Sequence, residues 1–444
     1  MVRTCWGDNA GQFARKGVLA NFRSGLSVYE QVDVGIAGAG IAGLTTALTL
    51  NGLNPQLMDD VRIQLFERSS APGEAGAGIQ ISPNGCSVLD RLGLLDPLVD
   101  ISAAPVAIRI VSARNQRCHV TVPLGSAAVL RYGYPYLTVH RQALHELLHS
   151  AVTDQIGQDA ILFDAGVDEV IDHPDHGLLR LTTGEQMTLD LVVGADGIHS
   201  SVRDVVGEDV LPRFTGHVAW RGVVPQSVLS KASPITETIT SWMAPGCHAV
   251  TYPLGDGRIN IVFVEEEHDW QSESWTVRGD VEMLKERVQH WHPDIRALVA
   301  SLSEVYRWAL FDRPVPSQWY GHHVVLVGDS CHAMLPYAAQ GAVMAIEDAE
   351  QLAVSLVGPP STASKGSARG LADFSSALAD YQRHRIQRVR WVQALARRHG
   401  QLFHLNKWAS AAARLGMRIL NTSYPAYFQK RNDWLMGYQV PPRR

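Results

Sequence analysis

Residues 324–352 read VVLVGDSCHAMLPYAAQGAVMAIEDAEQL, and their reading decides the fold. Val324 to Val327 is an unbroken apolar run, which predicts a short buried strand. Gly328-Asp329 ends it, placing a carboxylate at the strand's carboxyl end, the ligand side of an open α/β sheet. A loop containing Pro336 and Gly341 follows, and an Ala-rich segment from Ala342 to Leu352 predicts a helix. The first N–H groups of that helix lack intrahelical acceptors and suit an electron-rich ring edge.

The same strand–turn–helix grammar occurs near the start. Val32 to Ala37 reads as a strand, Gly38-Ala39-Gly40-Ile41-Ala42-Gly43 as the turn, and Leu44 to Leu50 as the helix. This is a dinucleotide fingerprint in its required setting. Gly38 makes the turn, Gly40 admits a pyrophosphate, and Gly43 lets helix pack on strand. Phosphate charge then rests at the helix N-terminus. A partner acid, Glu67, ends the strand Ile63 to Phe66, 24 residues after Gly43, close to the ~20 expected of a ribose-binding carboxylate. Asp196-Gly197, following the strand Asp190 to Ala195, places a third acid at a strand end, with Arg203 available to offset phosphate charge.

From about 211 to 310 the alternation of strand and helix disappears. His217 to Val223, Ile239 to Met243, Cys247 to Tyr252 and Arg258 to Val264 read as antiparallel strands, with Pro253 to Gly257 turning the last two into a hairpin. Period-two alternation puts His248, Val250 and Tyr252 on one face, and Arg221 on a face with His217, Ala219 and Val223. The fold class expected is α/β: a Rossmann-like dinucleotide domain, a second, mainly antiparallel sheet domain, and C-terminal helices. The boundaries expected are an extension at 1–30, the first domain at 31–105, 139–210 and 311–358, the sheet domain at 106–138 and 211–310, and helices at 371–444.

GDSCHAMLPYAAQGAVMAIEDA resembles the second flavin-binding motif of the single-component FAD-dependent aromatic hydroxylases, the para-hydroxybenzoate hydroxylase family. It is most similar to the salicylate and 3-hydroxybenzoate hydroxylase branch. The resemblance runs from about residue 32 to residue 440. It implies that Asp329 binds the FAD ribitol and that Gly341 and Ala342 face the pyrimidine end of the flavin. It places Gly78, within the glycine-rich loop Gly73 to Gly85, along the ring, Arg141 on the FAD phosphates, and Asp196 at FAD and indirectly NAD(P)H. Gly38, Gly40, Ala42, Gly43, Glu67 and Arg68 complete the implied cofactor set. PGCHAVTYPL resembles the 3-hydroxybenzoate hydroxylase segment whose His and Tyr contact substrate, which makes His248 and Tyr252 the implied catalytic pair. Imidazole titrates near neutrality and suits phenol deprotonation. Arg221 is implied to hold a phenolate or carboxylate, and Pro336 to approach the substrate side of the flavin. The 3-hydroxybenzoate type carries Gln where Pro336 stands.

The activity implied is hydroxylation of a phenolic substrate through an FAD C4a-hydroperoxide, with NADH or NADPH and O₂ as co-substrates. Other flavin chemistry on this fold, a halogenase or a reductase, is the alternative, followed by a non-catalytic FAD-binding protein. Halogenases need a Trp-x-Trp-x-Ile-Pro element and a Lys, whereas Ala219-Trp220-Arg221-Gly222-Val223 offers one Trp and no Lys.

Composition bounds the partners. The chain has 444 residues, 46% hydrophobic and 19% charged, with formal net charge −5, so no electrostatic case exists for nucleic acid or an anionic membrane. No apolar run reaches membrane-spanning length. The Arg-rich stretch Tyr381 to Arg398 is read as a solvated or interdomain face. Five scattered cysteines without Cys-x-x-Cys spacing fit a reducing, cytoplasmic setting, and Cys331 is read as a packing residue. Residues 1–30 carry basic residues and few acids, which allows an organelle-targeting reading; a surface-wrapped extension is the one taken. A monomer or homodimer acting on a small aromatic molecule is expected.

Overall fold

The computed structural model describes residues 31–52, 61–73, 77–207, 211–267, 277–357 and 374–440, so the 1–30 extension and the 358–370 loop lie outside the described residues. A five-stranded parallel sheet runs in the order Val324–Leu326, Leu191–Gly194, Val32–Ala37, Val61–Phe66, Ile161–Leu162. Its central strands are apolar on both faces and are almost wholly buried, as parallel strands covered on both sides must be. Helices Ile41–Asn51 and Gly341–Leu356 pack on one another, bringing the first and last strand–turn–helix units together.

A second, eight-stranded sheet runs Val277–Gly279, Val305–Asp312, Arg213–Pro225, Arg258–Glu266, Cys247–Pro253, Thr238–Ala244, Ala107–Ser112, Cys118–Pro123. All its pairs are antiparallel except Thr238–Ala244 with Ala107–Ser112. The hairpin expected between Cys247–Pro253 and Arg258–Glu266 is present. One face of this sheet packs on helices Val281–Val288 and Pro293–Ala300 through Trp220, Trp242, Phe263 and Trp291. Val250, Tyr252, Arg221 and Val223 come from the other face and line the cleft described below.

Helix Phe374–Phe403 spans 30 residues and reaches both sheets, Tyr381 donating to the Leu326 carbonyl of the parallel sheet and Arg397 to Asp312 of the larger one. Of the solvated or interdomain face expected for its Arg-rich stretch, Arg385 and Arg388 take the packed, acid-paired form. Arg385 and Arg388 are buried (0% and 5% exposed) and pair with Glu347 and Asp348 of helix Gly341–Leu356. Glu347 also accepts from Asn84, while Arg388 donates to the carbonyls of Trp434 and Leu435, so the buried charges are compensated. The tertiary contact wins here because each guanidinium finds a carboxylate that solvent would otherwise have to replace. Among the described residues no helix is long and apolar enough to cross a membrane.

Candidate active site

A single cleft of about 1650 Å³ is lined by both sets of residues singled out in the sequence. From the parallel sheet and its turns come Gly38, Gly40, Ala42, Glu67, Arg68, Gly78, Arg141, Asp196, Asp329, Gly341 and Ala342; from the larger sheet and the loop after His332 come Arg221, His248, Tyr252 and Pro336. Gly43 lies behind the lining. A Cβ there would sit 1.9 Å from the Gly38 carbonyl oxygen, so its part is close packing of helix on turn. Gly38 adopts φ +96°, and a Cβ on it would meet the Ala195 carbonyl at 2.6 Å.

The acids at the strand ends are held by backbone. Glu67 accepts from the N–H of Ala39 and of Ser69, each at 2.9 Å, which fixes its carboxylate across the mouth of the glycine turn. Asp196 Oδ2 accepts from the N–H of Ser201 and Val202 at 2.9 and 3.3 Å. Its Oδ1 is buried without a partner among the described residues, and burial raises its pKa despite those bonds. Asp329 is exposed, follows Gly328 at φ +61°, and opens the short helix Asp329–His332. Ala339, a non-glycine residue at φ +51°, ends the Pro336–Ala338 turn directly before Gln340 and the start of helix Gly341–Leu356. This is local strain of the kind tolerated at binding sites.

Arg203 departs from expectation. It is buried, donates to the carbonyls of Ser330 and Ile198, each at 2.9 Å, and does not line the cleft. It ties the Asp196 loop to the Asp329 loop instead of facing a phosphate. Cys331 is fully buried with its thiol pKa pushed up by burial, as a packing residue should be.

The antiparallel side of the cleft is apolar, with Ile108, Ile110, Val223, Val250 and Val262, and carries two buried polar residues, Tyr252 and His248, and the half-buried Arg221. Arg221 lies over the Trp308 ring, Cζ 4.3 Å from its centroid, and its Nε is buried without a partner among the described residues. Burial pulls its pKa down to about 10. Tyr252 is 4% exposed, and burial pushes its pKa up to about 12. His248 is 1% exposed, its Nδ1 has no partner among the described residues, and its ring touches Phe403, His404 and Tyr337. Burial, then His404 and His217, drive its pKa well below the ordinary value, so the imidazole is neutral at physiological pH. Gly78 approaches this wall closely: its N–H donates to Asn260 Oδ1 at 2.7 Å, and a Cβ would stand 2.6 Å from the Tyr252 ring.

Sequence reading missed Trp308, Asn260 and Phe403. Trp308 and Asn260 sit on strands whose alternation was legible, but nothing local marks them as neighbours of Arg221 or Gly78. Phe403 comes from the end of a helix 155 residues away from His248.

The cleft fits FAD on its own evidence. The glycine cradle has no room for side chains, an eleven-residue helix starts at the turn, and an unpaired carboxylate oxygen faces a strand-end cavity. The FAD binding domain family matches residues 31–390. A 3-amino-4-hydroxybenzoate 2-monooxygenase of Streptomyces cremeus is 34% identical over 413 residues, 92% of this chain and 96% of that one. A 3-hydroxybenzoate 6-hydroxylase of Klebsiella oxytoca is 30% identical over 412 residues, covering 91% and 96%. The solved salicylate hydroxylase substrate complex shares the fold at TM-score 0.74 and 22% identity, over 93% of this chain and 96% of that one. The chain therefore belongs to the FAD-binding flavoprotein family and, within it, to the FAD-dependent aromatic monooxygenases.

Proposed function

We propose that this enzyme hydroxylates a small aromatic acid carrying a ring hydroxyl, with NADH or NADPH as reductant and O₂ as oxidant. One observation carries the reading: a half-buried guanidinium and a buried neutral imidazole, each with one buried nitrogen unpartnered among the described residues, share an apolar cleft with the glycine turns of the parallel sheet. Buried polar groups left unpaired are costly, so a ligand that satisfies both is favoured. A phenolic carboxylate does this: its anionic group meets Arg221 and its hydroxyl meets His248. The two relatives described above, named for an aminohydroxybenzoate and a hydroxybenzoate, support the same class.

The chemistry that FAD supplies when bound is hydride acceptance from NAD(P)H and activation of O₂ for attack on an electron-rich ring. Gly38, Gly40 and Ala42 are assigned to the pyrophosphate, Glu67 to the ribose, Arg68 and Arg141 to phosphate charge. Asp196, Asp329, Gly341, Ala342 and Gly78 are assigned to the remainder of the dinucleotide. His248 accepts the phenolic proton, which raises the nucleophilicity of the ring. Its depressed pKa keeps it unprotonated beforehand, and the positive field of Arg221 stabilises the phenolate that results. Tyr252 stays protonated and donates to the substrate oxygen. Ile108, Val250 and Val262 exclude water. On this reading segments 31–105, 139–210 and 311–358 hold FAD, and 106–138 with 211–310 hold the substrate.

The test is NAD(P)H oxidation by the purified flavoprotein against a panel of hydroxybenzoates and aminohydroxybenzoates, with product and peroxide measured together. Stimulation with a matching hydroxylated product is expected. Stimulation by neutral phenols but by no carboxylate would overturn the role of Arg221. No stimulation by any phenol would overturn the reading.

A further inference from the structure

We propose that His217, Glu266 and His404 form a binding site for a divalent zinc-class cation behind the wall of the cleft. One ring nitrogen from each histidine and a carboxylate oxygen of Glu266 lie within 4.8 Å of one another. None of the three lines the cleft itself. The site draws on three elements. His217 and Glu266 face each other in register across strands Arg213–Pro225 and Arg258–Glu266, and His404 follows the end of helix Phe374–Phe403.

The outer hydrogen bonds give the cluster its metal character. A metal-binding histidine ordinarily donates its other ring N–H to an oxygen, which fixes the tautomer and the ring orientation. Both histidines have that partner. His404 Nδ1 lies 3.1 Å from the Gly246 carbonyl oxygen, and His217 Nδ1 lies 2.7 Å from the Tyr337 hydroxyl oxygen. A carbonyl only accepts, so His404 carries its proton on Nδ1 and presents a lone pair at Nε2. That Nε2 is buried without a partner among the described residues, on a side chain only 9% exposed. The stacked rings, 4.0 Å apart between centroids, hold the two histidines side by side.

Two imidazoles and a carboxylate are a zinc donor set with a fourth position for water. Tetrahedral coordination at ~2.0–2.1 Å needs donors roughly 3.3 Å apart, so binding would draw the three donors together and turn one imidazole out of the stack to bring both lone pairs onto the ion. Glu266 is exposed and gives the ion its route in. Occupancy would pin the end of the long helix to the sheet. It would also require His217 Nδ1–H to donate to Tyr337, whose ring, like that of His404, touches His248.

The experiment uses untagged holoenzyme dialysed against zinc chloride, with bound zinc measured by elemental analysis and its shell by X-ray absorption. One zinc per chain with two imidazoles and a carboxylate is expected. Glu266→Gln and His404→Phe are each expected to weaken binding by about 100-fold or more, beyond what loss of an outer-shell partner does. FAD retention and the flavin spectrum report whether each variant is folded, and Glu266→Gln, at an exposed position, decides the matter if His404→Phe is not. No retained zinc, or zinc held equally by wild type and the folded variants, overturns the proposal.

Discussion

Arg221 and His248 carry buried nitrogens that a ligand in the cleft would satisfy. Among the described residues each has a nitrogen without a partner in the apolar wall, and neither has a carboxylate to account for it. Replacing Arg221 by Met is expected to lower kcat/KM for an aromatic acid by about 10- to 150-fold, the worth of one hydrogen bond to a charged group. FAD content should be unchanged, because Arg221 lines the cleft from the larger sheet and not from the glycine turns; steady-state kinetics with flavin quantitation checks both. His248→Ala is expected to slow product formation by about 100-fold, the usual size of a general base contribution. Since burial already holds His248 neutral, the free enzyme should show no limb near pH 6.5 attributable to it, and a pH profile of kcat/KM tests this. The alternation along Cys247–Pro253 was sufficient to pair His248 with Tyr252. It did not indicate that the imidazole would sit among Phe403, His404 and Tyr337.

At the scale of elements, the turns around the flavin site depend on contacts that tolerate no added atom and on one buried ion cluster. Gly43→Ala puts a methyl 1.9 Å from the Gly38 oxygen, so the first helix must move away from its strand. Purification of that variant is expected to yield colourless protein or none. Asp348 accepts from Arg385 at 2.7 Å, from the N–H of Gly328 at 3.0 Å, and stands 2.5 Å from His332. Burial pushes its carboxyl up, but His332 and Arg385 outweigh burial and hold it at about 2. Asp348→Asn leaves Arg385 with an uncompensated share of buried charge and should cost about 3–5 kcal/mol in denaturant unfolding. It should also weaken FAD retention, because the loop carrying Asp329 is tied down by the same carboxylate. The strand–turn–helix units themselves were legible, since turn glycines and apolar runs are local signals. The ion cluster was not, because Arg385 and Asp348 lie on different helices and a basic helix face looks alike whether it meets water or acids.

Across the whole molecule, buried histidines set the response to acid. Burial depresses His119 and His404 to about 4, with Arg414, Arg418 and Arg117 adding to the effect on His119 and His217 to that on His404. Unfolded, each takes up a proton near 6.5; folded, each refuses it until about 4. The unfolded state therefore binds more protons in this window, and stability falls as pH drops from about 6.5 to about 4. Thermal midpoints measured across that range should show the decline, and His119→Leu, which removes a ring with neither nitrogen partnered, should flatten it. Sequence alone determined the parallel sheet, the order of the flavin turns, the antiparallel sheet and the family resemblance, because each rests on spacing within one element or between neighbours. Only the tertiary structure decided that Arg221 lies over Trp308, that Arg203 faces inward, and that the end of the long helix meets the wall carrying His248. Those contacts join residues tens to hundreds of positions apart, and neither periodicity nor propensity carries information about which distant surfaces will exclude water together.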